Sequence, residues 1–318
     1  MRQAARPTGQ PAPIGGEVIV IGVSVLRAMN SSDLPDVLAV TNAAFRTRES
    51  RQSGRAAGAG QMVPPRLFGT RFATDPGGCF VAVNRQGAGR VAGALISRAR
   101  GTAGWLGPLA VHPDAQRSGI GGRLVTACID SWRRRGVRLM GLETYRDSPS
   151  HRLFYEKLGF QPSCAGIGFR GRPARVGMPA GVEIDGRMPD ISFLYPGLDV
   201  SAEAAAVKQC GTGHALTTGD GIAILHLEST VQPPGAGFVP FLAAATRDSF
   251  DKLLGAAEYL SHRQGKTSLL TRTSSSSWTT IETLLGRGYQ AEALTLRMKA
   301  GENTDYDHTT SYYLDNWL

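Results

Sequence analysis

Apolar runs bounded by polar or glycine-containing turns predict a series of strands in the first half of the chain. These runs lie at residues 18–26, 78–84, 90–98, 103–111 and 138–145. Apolar residues at helical spacing, preceded by Ser and Asp, predict a helix over residues 30–45. The first half is therefore expected to be a sheet with helices on its faces.

Two further helices follow the strand at 103–111. The segment from Gly119 to Arg135 repeats apolar residues every four positions, and Gly136 follows it as a stop signal. The segment SPSHRLFYEKLGF has Ser148 at the N-cap, Pro149 at the first helical position and Gly159 just past the end. The order strand, glycine loop, helix, strand, helix, strand predicts an α/β fold with a mixed sheet.

The second half repeats this order. Residues 136–161 and 265–290 align without a gap at an offset of 129, and both contain a strand, a serine-rich cap, a helix and a Gly-aromatic-Gln ending. A repeat of this period indicates duplicated architecture. We therefore predict two tandem domains of related fold.

The predicted boundaries follow the changes in composition. They are a disordered tail at 1–17, a first domain at 18–170, a linker at 171–190, a second domain at 191–300 and a C-terminal segment at 301–318. The C-terminal segment is rich in aromatic residues, so it is either a tail or a segment docked by those side chains.

Composition limits the class of protein. An apolar share of 42% and a charged share of 19% are typical of a soluble globular protein. The four cysteines are far apart, with no CxxC pair, which argues against disulfides and against a metal site. The longest early apolar run is too short to span a bilayer, and no signal peptide surrounds it. We expect a cytoplasmic protein.

The net charge of +9 is concentrated in the first half. Residues 1–165 contain 22 Lys and Arg against 10 Asp and Glu, whereas residues 166–318 contain 13 against 16. An anionic partner is therefore expected at the first half, and nucleic acid and a phosphorylated cofactor are both compatible with this charge.

The segment HPDAQRSGIGGRLV places three glycines in four positions where a helix begins. Glycine at such a position costs up to about 1 kcal/mol relative to alanine. A tight turn would explain the glycines, and so would an anion site at the helix N-terminus, where unpaired N–H groups bind a phosphate. A Walker loop is excluded because no Gly-Lys-Ser/Thr follows.

Together, LAVHPDAQRSGIGGRLV and FYEKLGF resemble the GCN5-related N-acetyltransferase (GNAT) family over residues 20–165. The acyl-CoA motif of that family appears as Gln116-x-x-Gly119-x-Gly121. The resemblance implies two tandem GNAT-like domains and acyl transfer from acetyl-CoA, or another acyl-CoA, to a primary amine. It also implies that the strand before the loop splays from its neighbour and pairs with the pantetheine arm.

The resemblance further implies which residues contact the cofactor. The backbone of the strand binds pantetheine and the loop binds pyrophosphate; Ser148 stands where many relatives have Asn, which puts a side-chain contact there in doubt. The implied set is Leu109, Ala110, Val111, Gln116, Arg117, Ser118, Gly119, Ile120, Gly121, Gly122 and Ser148.

Tyr155 matches the tyrosine that the family places near the CoA sulfur, where a phenol protonates the departing thiolate. A half-buried packing role is the alternative. Two residues are candidates for the general base, and the choice between them stays open. Glu143 lies near the end of the strand that follows the glycine helix, and His112 lies just beyond the cofactor strand.

The repeat in the second half lacks these groups. No Gln-x-x-Gly-x-Gly precedes its helix, Asp248 and Asp251 would repel a pyrophosphate, and Leu284 stands at the position of Tyr155. We predict a degenerate domain with a scaffold role.

A small-molecule amine is the expected acceptor. Two alternatives to acyl transfer from acyl-CoA remain. The donor could be an acyl carrier protein or an aminoacyl-tRNA, or the protein could be a non-catalytic CoA sensor. The oligomeric state is not predicted.

Overall fold

The computed structural model describes residues 19–21, 24–53, 65–84, 90–175, 177–228, 235–301, 306 and 311–317. The predicted N-terminal tail and the glycine-rich segment that follows residue 53 lie outside these ranges. Among the helices described, none has the length and apolar character needed to cross a membrane.

Fourteen strands and seven helices make up the described fold. The strands are β1 (Ile19–Ile21), β2 (Ser24–Ala28), β3 (Phe80–Asn84), β4 (Val91–Arg100), β5 (Ala103–Val111), β6 (Leu139–Tyr145), β7 (Gln161–Gly171), β8 (Glu183–Ile184), β9 (Gly213–Thr217), β10 (Gly221–His226), β11 (Ala236–Ala244), β12 (Ser268–Ser274), β13 (Gln290–Gly301) and β14 (Tyr312–Asp315). The helices are α1 (Leu34–Ser53), α2 (Pro65–Thr74), α3 (Ile120–Arg134), α4 (Pro149–Glu156), α5 (Ser201–Gln209), α6 (Arg247–Arg263) and α7 (Trp278–Gly286).

All described strands belong to one mixed sheet. Its order is β1-β2-β3-β4-β5-β6-β13-β7-β12-β11-β10-β9-β8, and β14 pairs with β11 outside this path. β5 and β6 are parallel, as are β11 and β12, while the other neighbours are antiparallel. The α/β prediction with a mixed sheet is confirmed.

The succession β4-β5-α3-β6-α4-β7 of the first half returns as β10-β11-α6-β12-α7-β13 in the second. The two halves exchange their last strands, since β13 of the second half lies between β6 and β7 of the first, and β7 pairs with β12. The sequence repeat did not predict this exchange. Because of it, neither half completes its sheet alone.

A pseudo-twofold axis passes through the exchanged strands. Gly166 pairs with Thr295, the residue 129 positions later, which is the offset of the sequence repeat. Glu143 and Arg272 are also 129 positions apart, and they form an ion pair with Oε2 and Nε 2.6 Å apart. The repeat in sequence is thus a rotation in space that brings equivalent residues together.

α3 covers one face of the first half. Its predicted apolar face, Ile120, Leu124, Cys128 and Trp132, is buried against the sheet. α1 and α2 cover the opposite face through a separate cluster that contains Val37, Phe68 and Ile96. The first half is therefore a three-layer unit whose glycine loop lies at the N-terminal end of α3.

Three aromatic residues of the C-terminal segment are buried, within the part that the structure describes (301, 306 and 311–317). Tyr306, Tyr313 and Trp317 are fully buried in a core cluster that joins both halves, and their rings meet edge to face or tilted. The part of this segment that the structure describes is therefore held against the core by its aromatic side chains.

One strand prediction is wrong. Residues 18–26 were expected to form one strand, but Ile19 pairs with Leu26 and Ile21 with Ser24, so the chain doubles back into an antiparallel pair. Both arms are apolar, and a continuous apolar run cannot distinguish one strand from a tight hairpin. α2 was also not predicted.

Candidate active site

β5 diverges from β6 halfway along its length. The two strands pair from Ala103–Leu139 to Leu106–Leu142, and no pair between them follows. On its other side β5 stays paired with β4 as far as Val111–Gly93. The backbone of Leu109, Ala110 and Val111 therefore presents an open edge toward β6, and an extended ligand can add to an open edge by hydrogen bonding.

The glycine loop connects this edge to α3. Gln116 donates from Nε2 to the carbonyl of Val111 over 3.2 Å, and Ser118 donates from Oγ to the carbonyl of Ala115 over 2.6 Å. Arg117 and Gly119 both have positive φ, +64° and +84°. These contacts hold the loop so that α3 begins directly beside the open edge.

The N-terminus of α3 has no side-chain cap. Its first N–H groups, at Ile120, Gly121 and Gly122, point along the helix axis and carry positive potential. A Cβ added at Gly119 or Gly122 would meet nothing within 4 Å, whereas one at Gly121 would lie 3.5 Å from Phe154. The glycine loop and the uncapped N-terminus of α3 thus form a cradle that is open to an anion.

α4 lies beside the open edge and the start of α3, since a Cβ at Gly121 would be 3.5 Å from Phe154 of α4 and 3.7 Å from Val111 of β5. The space between α4 and this edge is the candidate cleft, and α4 is one of its walls. Tyr155 is half-buried between Phe154 and Phe160, with ring centroids 4.9 and 6.1 Å away. Burial, with a smaller contribution from Tyr145, raises the pKa of Tyr155 well above that of a free phenol. Its hydroxyl therefore stays protonated at physiological pH.

His151 is a residue of this wall that the sequence analysis missed. It lies one helical turn before Tyr155, on the same face of α4. Its Nδ1 is 2.6 Å from Oγ of Ser148, and its ring meets that of Tyr145 edge to face at 5.3 Å. The four-residue spacing to Tyr155 was the signal in the sequence.

The ionisation of His151 suits a proton acceptor. Burial and the nearby Arg48 lower the pKa of His151 below its usual value, although Asp147 raises it in part. The imidazole is therefore neutral at pH 7. Arg48 itself stacks on Tyr145, with its guanidinium carbon 3.1 Å from the ring centroid.

The structure does not support Glu143 as a general base. Its carboxylate is fully buried and accepts hydrogen bonds from Nε of Arg297 at 2.9 Å and Nε of Arg272 at 2.6 Å. Burial alone would raise the pKa of Glu143, but these two arginines more than offset it and lower the pKa. A carboxylate held by two arginines is a weak proton acceptor. Glu143 instead forms a structural ion-pair cluster near the pseudo-twofold axis.

Replacing Glu143 with glutamine is expected to destabilise the fold by about 3 kcal/mol or more, because Arg297 would lose its buried counter-charge. Thermal melts at pH 7 measure the loss. Since the folded pKa of Glu143 is lowered, its contribution is full above the unfolded pKa of about 4.3 and declines as the pH falls further toward the folded value. The difference in melting temperature between the parent and Glu143→Gln should therefore become smaller as the pH is lowered below about 4.3.

The exposed pair Glu228 and Arg66, 3.7 Å apart, provides the control for that experiment. Exposed ion pairs contribute only about 0–1 kcal/mol, so Glu228→Gln should melt close to the parent. Equal losses for the two variants would contradict the role assigned to Glu143.

His112 directly follows β5. It caps the short turn Pro113–Ala115 by accepting from the backbone N–H of Asp114, and its side chain is 43% exposed. The structure thus gives His112 a capping role at the end of β5 and, among the described residues, offers no contact that supports a role in proton transfer.

The second half has the same divergence, but the chain itself fills it. β11 and β12 pair from Ala236–Ser268 to Val239–Thr271, and β14 then takes over the free edge along Phe241–Ala244. This edge is equivalent to residues 108–111 of β5. The C-terminal strand thus occupies the place where the first half is open.

The other features of the cradle are also absent from the second half. Oγ1 of Thr246 caps α6 by accepting from the N–H of Ser249. Asp248 lies in the first turn of α6, and Leu284 is fully buried where α4 presents Tyr155. The geometry that could hold a CoA is therefore present in the first half alone, within the described residues.

The described residues contain no group of three or more His, Cys, Asp and Glu placed to hold a metal ion. The four cysteines, all among the described residues, form no disulfide.

Part of the first half matches a known protein family. Residues 75–162, which contain the open edge, the glycine loop and Tyr155, match the family model of the acetyltransferase (GNAT) domain. No match is found among curated protein sequences.

Solved structures share the fold over nearly the whole chain. A putative acetyltransferase from Pyrococcus horikoshii is 16% identical, with a TM-score of 0.69 over 95% of this chain and 97% of that one. A GCN5-related N-acetyltransferase from Sphaerobacter thermophilus is 13% identical, with a TM-score of 0.51 over 88% and 96%. Residues 75–162 are thus similar to the acetyltransferase (GNAT) domain, and the chain shares its fold with these acetyltransferase structures.

Proposed function

We propose that this chain is an N-acetyltransferase that binds one acetyl-CoA in its first half and transfers the acetyl group to a primary amine. The observation that carries the proposal is the open edge of Leu109–Val111 leading directly into the uncapped N-terminus of α3. The edge suits the amide groups of a pantetheine arm, and the helix terminus suits a pyrophosphate. When bound, acetyl-CoA supplies the acyl group as a thioester.

The chain's own residues supply the proton transfers in this proposal. His151, neutral at pH 7, takes a proton from the attacking amine, directly or through one water. Tyr155 gives its proton to the sulfur as the C–S bond breaks, and the new amide keeps the acyl group. After the reaction, His151 releases its extra proton to solvent, and the phenolate of Tyr155 takes up a proton from solvent.

The contrast between the two halves predicts the stoichiometry. Calorimetric titration with CoA should give one site per chain, because β14 and the Thr246 cap block the equivalent place in the second half. Two sites of similar affinity would contradict this account of the second half. The proposed function itself would be contradicted if CoA produced no heat in the titration and did not raise the melting temperature.

A further inference from the structure

Arg48 of α1 lies at the candidate cleft, and the proposed proton transfers do not use it. Its guanidinium carbon is 3.1 Å from the centre of the Tyr145 ring. Tyr145 is the last residue of β6, and β6 has parted from β5 beyond the pair Leu106–Leu142. The ring therefore lies across the opening from the edge formed by Leu109–Val111, and Arg48 brings a positive charge to that opening.

Arg48 and His151 contact the same ring. The guanidinium stacks on Tyr145, and the imidazole of His151 meets that ring edge to face, with the ring centres 5.3 Å apart. His151 is the residue that takes the proton of the attacking amine in the proposed function. A small acceptor whose amine reaches His151 can therefore place a second group at Arg48.

The stacked geometry of Arg48 suits a carboxylate. Stacking on Tyr145 uses the face of the guanidinium, whereas hydrogen bonds leave from its edge. A guanidinium has five N–H donors in one plane, so contacts within the protein can coexist with a bound ligand. Arginine donates two parallel hydrogen bonds to a carboxylate, and a guanidinium already held flat on a ring loses less entropy when it does so.

Asp147 is an acidic group beside Arg48, and it offsets the charge of Arg48 only in part. Its Oδ1 is 3.8 Å from Nη2 of Arg48, beyond hydrogen-bond distance, and its side chain is 63% exposed. An exposed ion pair contributes about 0–1 kcal/mol, so an incoming carboxylate can displace it. After burial, Arg48 has the larger influence on the pKa of His151, which it lowers more than Asp147 raises it. The surroundings of His151 are thus favourable to a negative group.

An α-amino acid has the two groups that this arrangement requires. Its amine and its carboxylate are bonded to the same carbon, and a hydrogen bond of about 3 Å at each end extends its reach. It can therefore contact Arg48 and His151 from the two sides of one ring contact. A polyamine would instead bring a second positive charge near Arg48, which repels it.

We propose that the acceptor is a free α-amino acid, whose carboxylate binds Arg48 while its amine faces His151. This inference rests on the proposed function, because it names the class of amine that receives the acetyl group. The neutral α-amine forms the new N–C bond as the C–S bond of the thioester breaks. The amine gives one proton to His151, the sulfur takes the proton of Tyr155, and the products are an N-acetylamino acid and CoA.

Release of CoA from acetyl-CoA, measured with each common amino acid and with its α-carboxamide, tests the proposal. The carboxamide keeps the size and the amine of the amino acid and removes only the negative charge. In Arg48→Met, the ratio of kcat/KM for the best amino acid to kcat/KM for its carboxamide should fall about 10- to 100-fold. The ionisation of each amine is the same with parent and variant, and any effect on His151 applies to both acceptors, so both cancel in this comparison.

Thermal melting of the parent in excess CoA gives a second measurement, which needs no variant. The N-acetylated form of the best amino acid carries the carboxylate without an ionisable amine. It should raise the melting temperature by about 2 °C, because a ligand that binds only the folded state stabilises it. The N-acetylated carboxamide should raise the melting temperature far less.

Arg152→Met is the matched control. Arg152 follows His151 on α4, but it donates from Nε to Glu156 over 2.7 Å and its side chain is 56% exposed. The ratio measured for this variant should match that of the parent. An unchanged ratio in Arg48→Met would overturn the proposal, and so would equal stabilisation of the parent by the two N-acetylated compounds. Turnover of amines without a carboxylate, but of no amino acid, would also overturn it and leave the proposed function standing. If no amine of either kind releases CoA, the proposed function itself fails, and this inference fails with it.

Discussion

Gly122→Glu is expected to weaken CoA binding about 100-fold or more while the protein folds at least as stably as the parent. Gly122 is the third residue of α3, and a Cβ there meets nothing within 4 Å, so the new side chain causes no clash in the free protein. Glutamate favours a helix over glycine and suits the first turn, so the fold gains stability. The same carboxylate lies where a pyrophosphate would, and two like charges about 4 Å apart repel by about 4 kcal/mol near a surface.

Gly122→Gln separates charge from bulk in this experiment. Glutamine has nearly the same size and no charge, so its effect on the CoA affinity should be several-fold smaller. Calorimetry gives the affinity and thermal melting gives the stability. Unchanged binding in the glutamate variant would show that the N-terminus of α3 does not hold the cofactor. The proposed position of the pyrophosphate would then be wrong.

Local signals in the sequence predicted the first half of the fold from β3 to α4, but they missed α2 and the β1–β2 hairpin. The apolar spacing along residues 119–135 predicted both the helix and its buried face, since Ile120, Leu124 and Trp132 are buried as expected. The glycine motif could be interpreted as an acyl-CoA motif because a predicted strand precedes it and a predicted helix follows it. The offset of 129 residues predicted the second domain, because a strand and a helix recur there in the same order.

Contacts between distant residues could not be predicted in this way. Glu143 had the position of a catalytic base in the sequence, but its partners Arg272 and Arg297 are 129 and 154 residues away. The exchange of β7 and β13 brings them together, and a repeat in sequence does not specify which copy of a strand pairs with which sheet. The same holds for β14, whose four residues fill the open edge of β11 from the far end of the chain.

Tyr155→Phe is expected to lower kcat and kcat/KM equally, by about 100-fold or more, with CoA affinity nearly unchanged. Phenylalanine keeps the ring contacts with Phe154 and Phe160 and removes only the hydroxyl, so the loss falls on the transition state. Release of CoA from acetyl-CoA, with a panel of primary amines as acceptors, measures turnover. Tyr145→Phe is the matched control, a tyrosine of the same cleft with no proton to give in the proposed mechanism, and it should turn over nearly normally.

The pH dependence of two rate ratios then separates the acid from the base. The ratio of parent to Tyr155→Phe should be constant from about pH 6 to 9, because the pKa of Tyr155 lies above this range. The ratio of parent to His151→Asn should instead fall toward one as the pH drops below the lowered pKa of His151, since a protonated imidazole cannot accept the proton. Ionisation of the amine affects parent and variant alike and cancels in both ratios. A His151→Asn ratio that stays constant with pH would assign the proton to water, and a Tyr155→Phe ratio near one would make Tyr155 a packing residue.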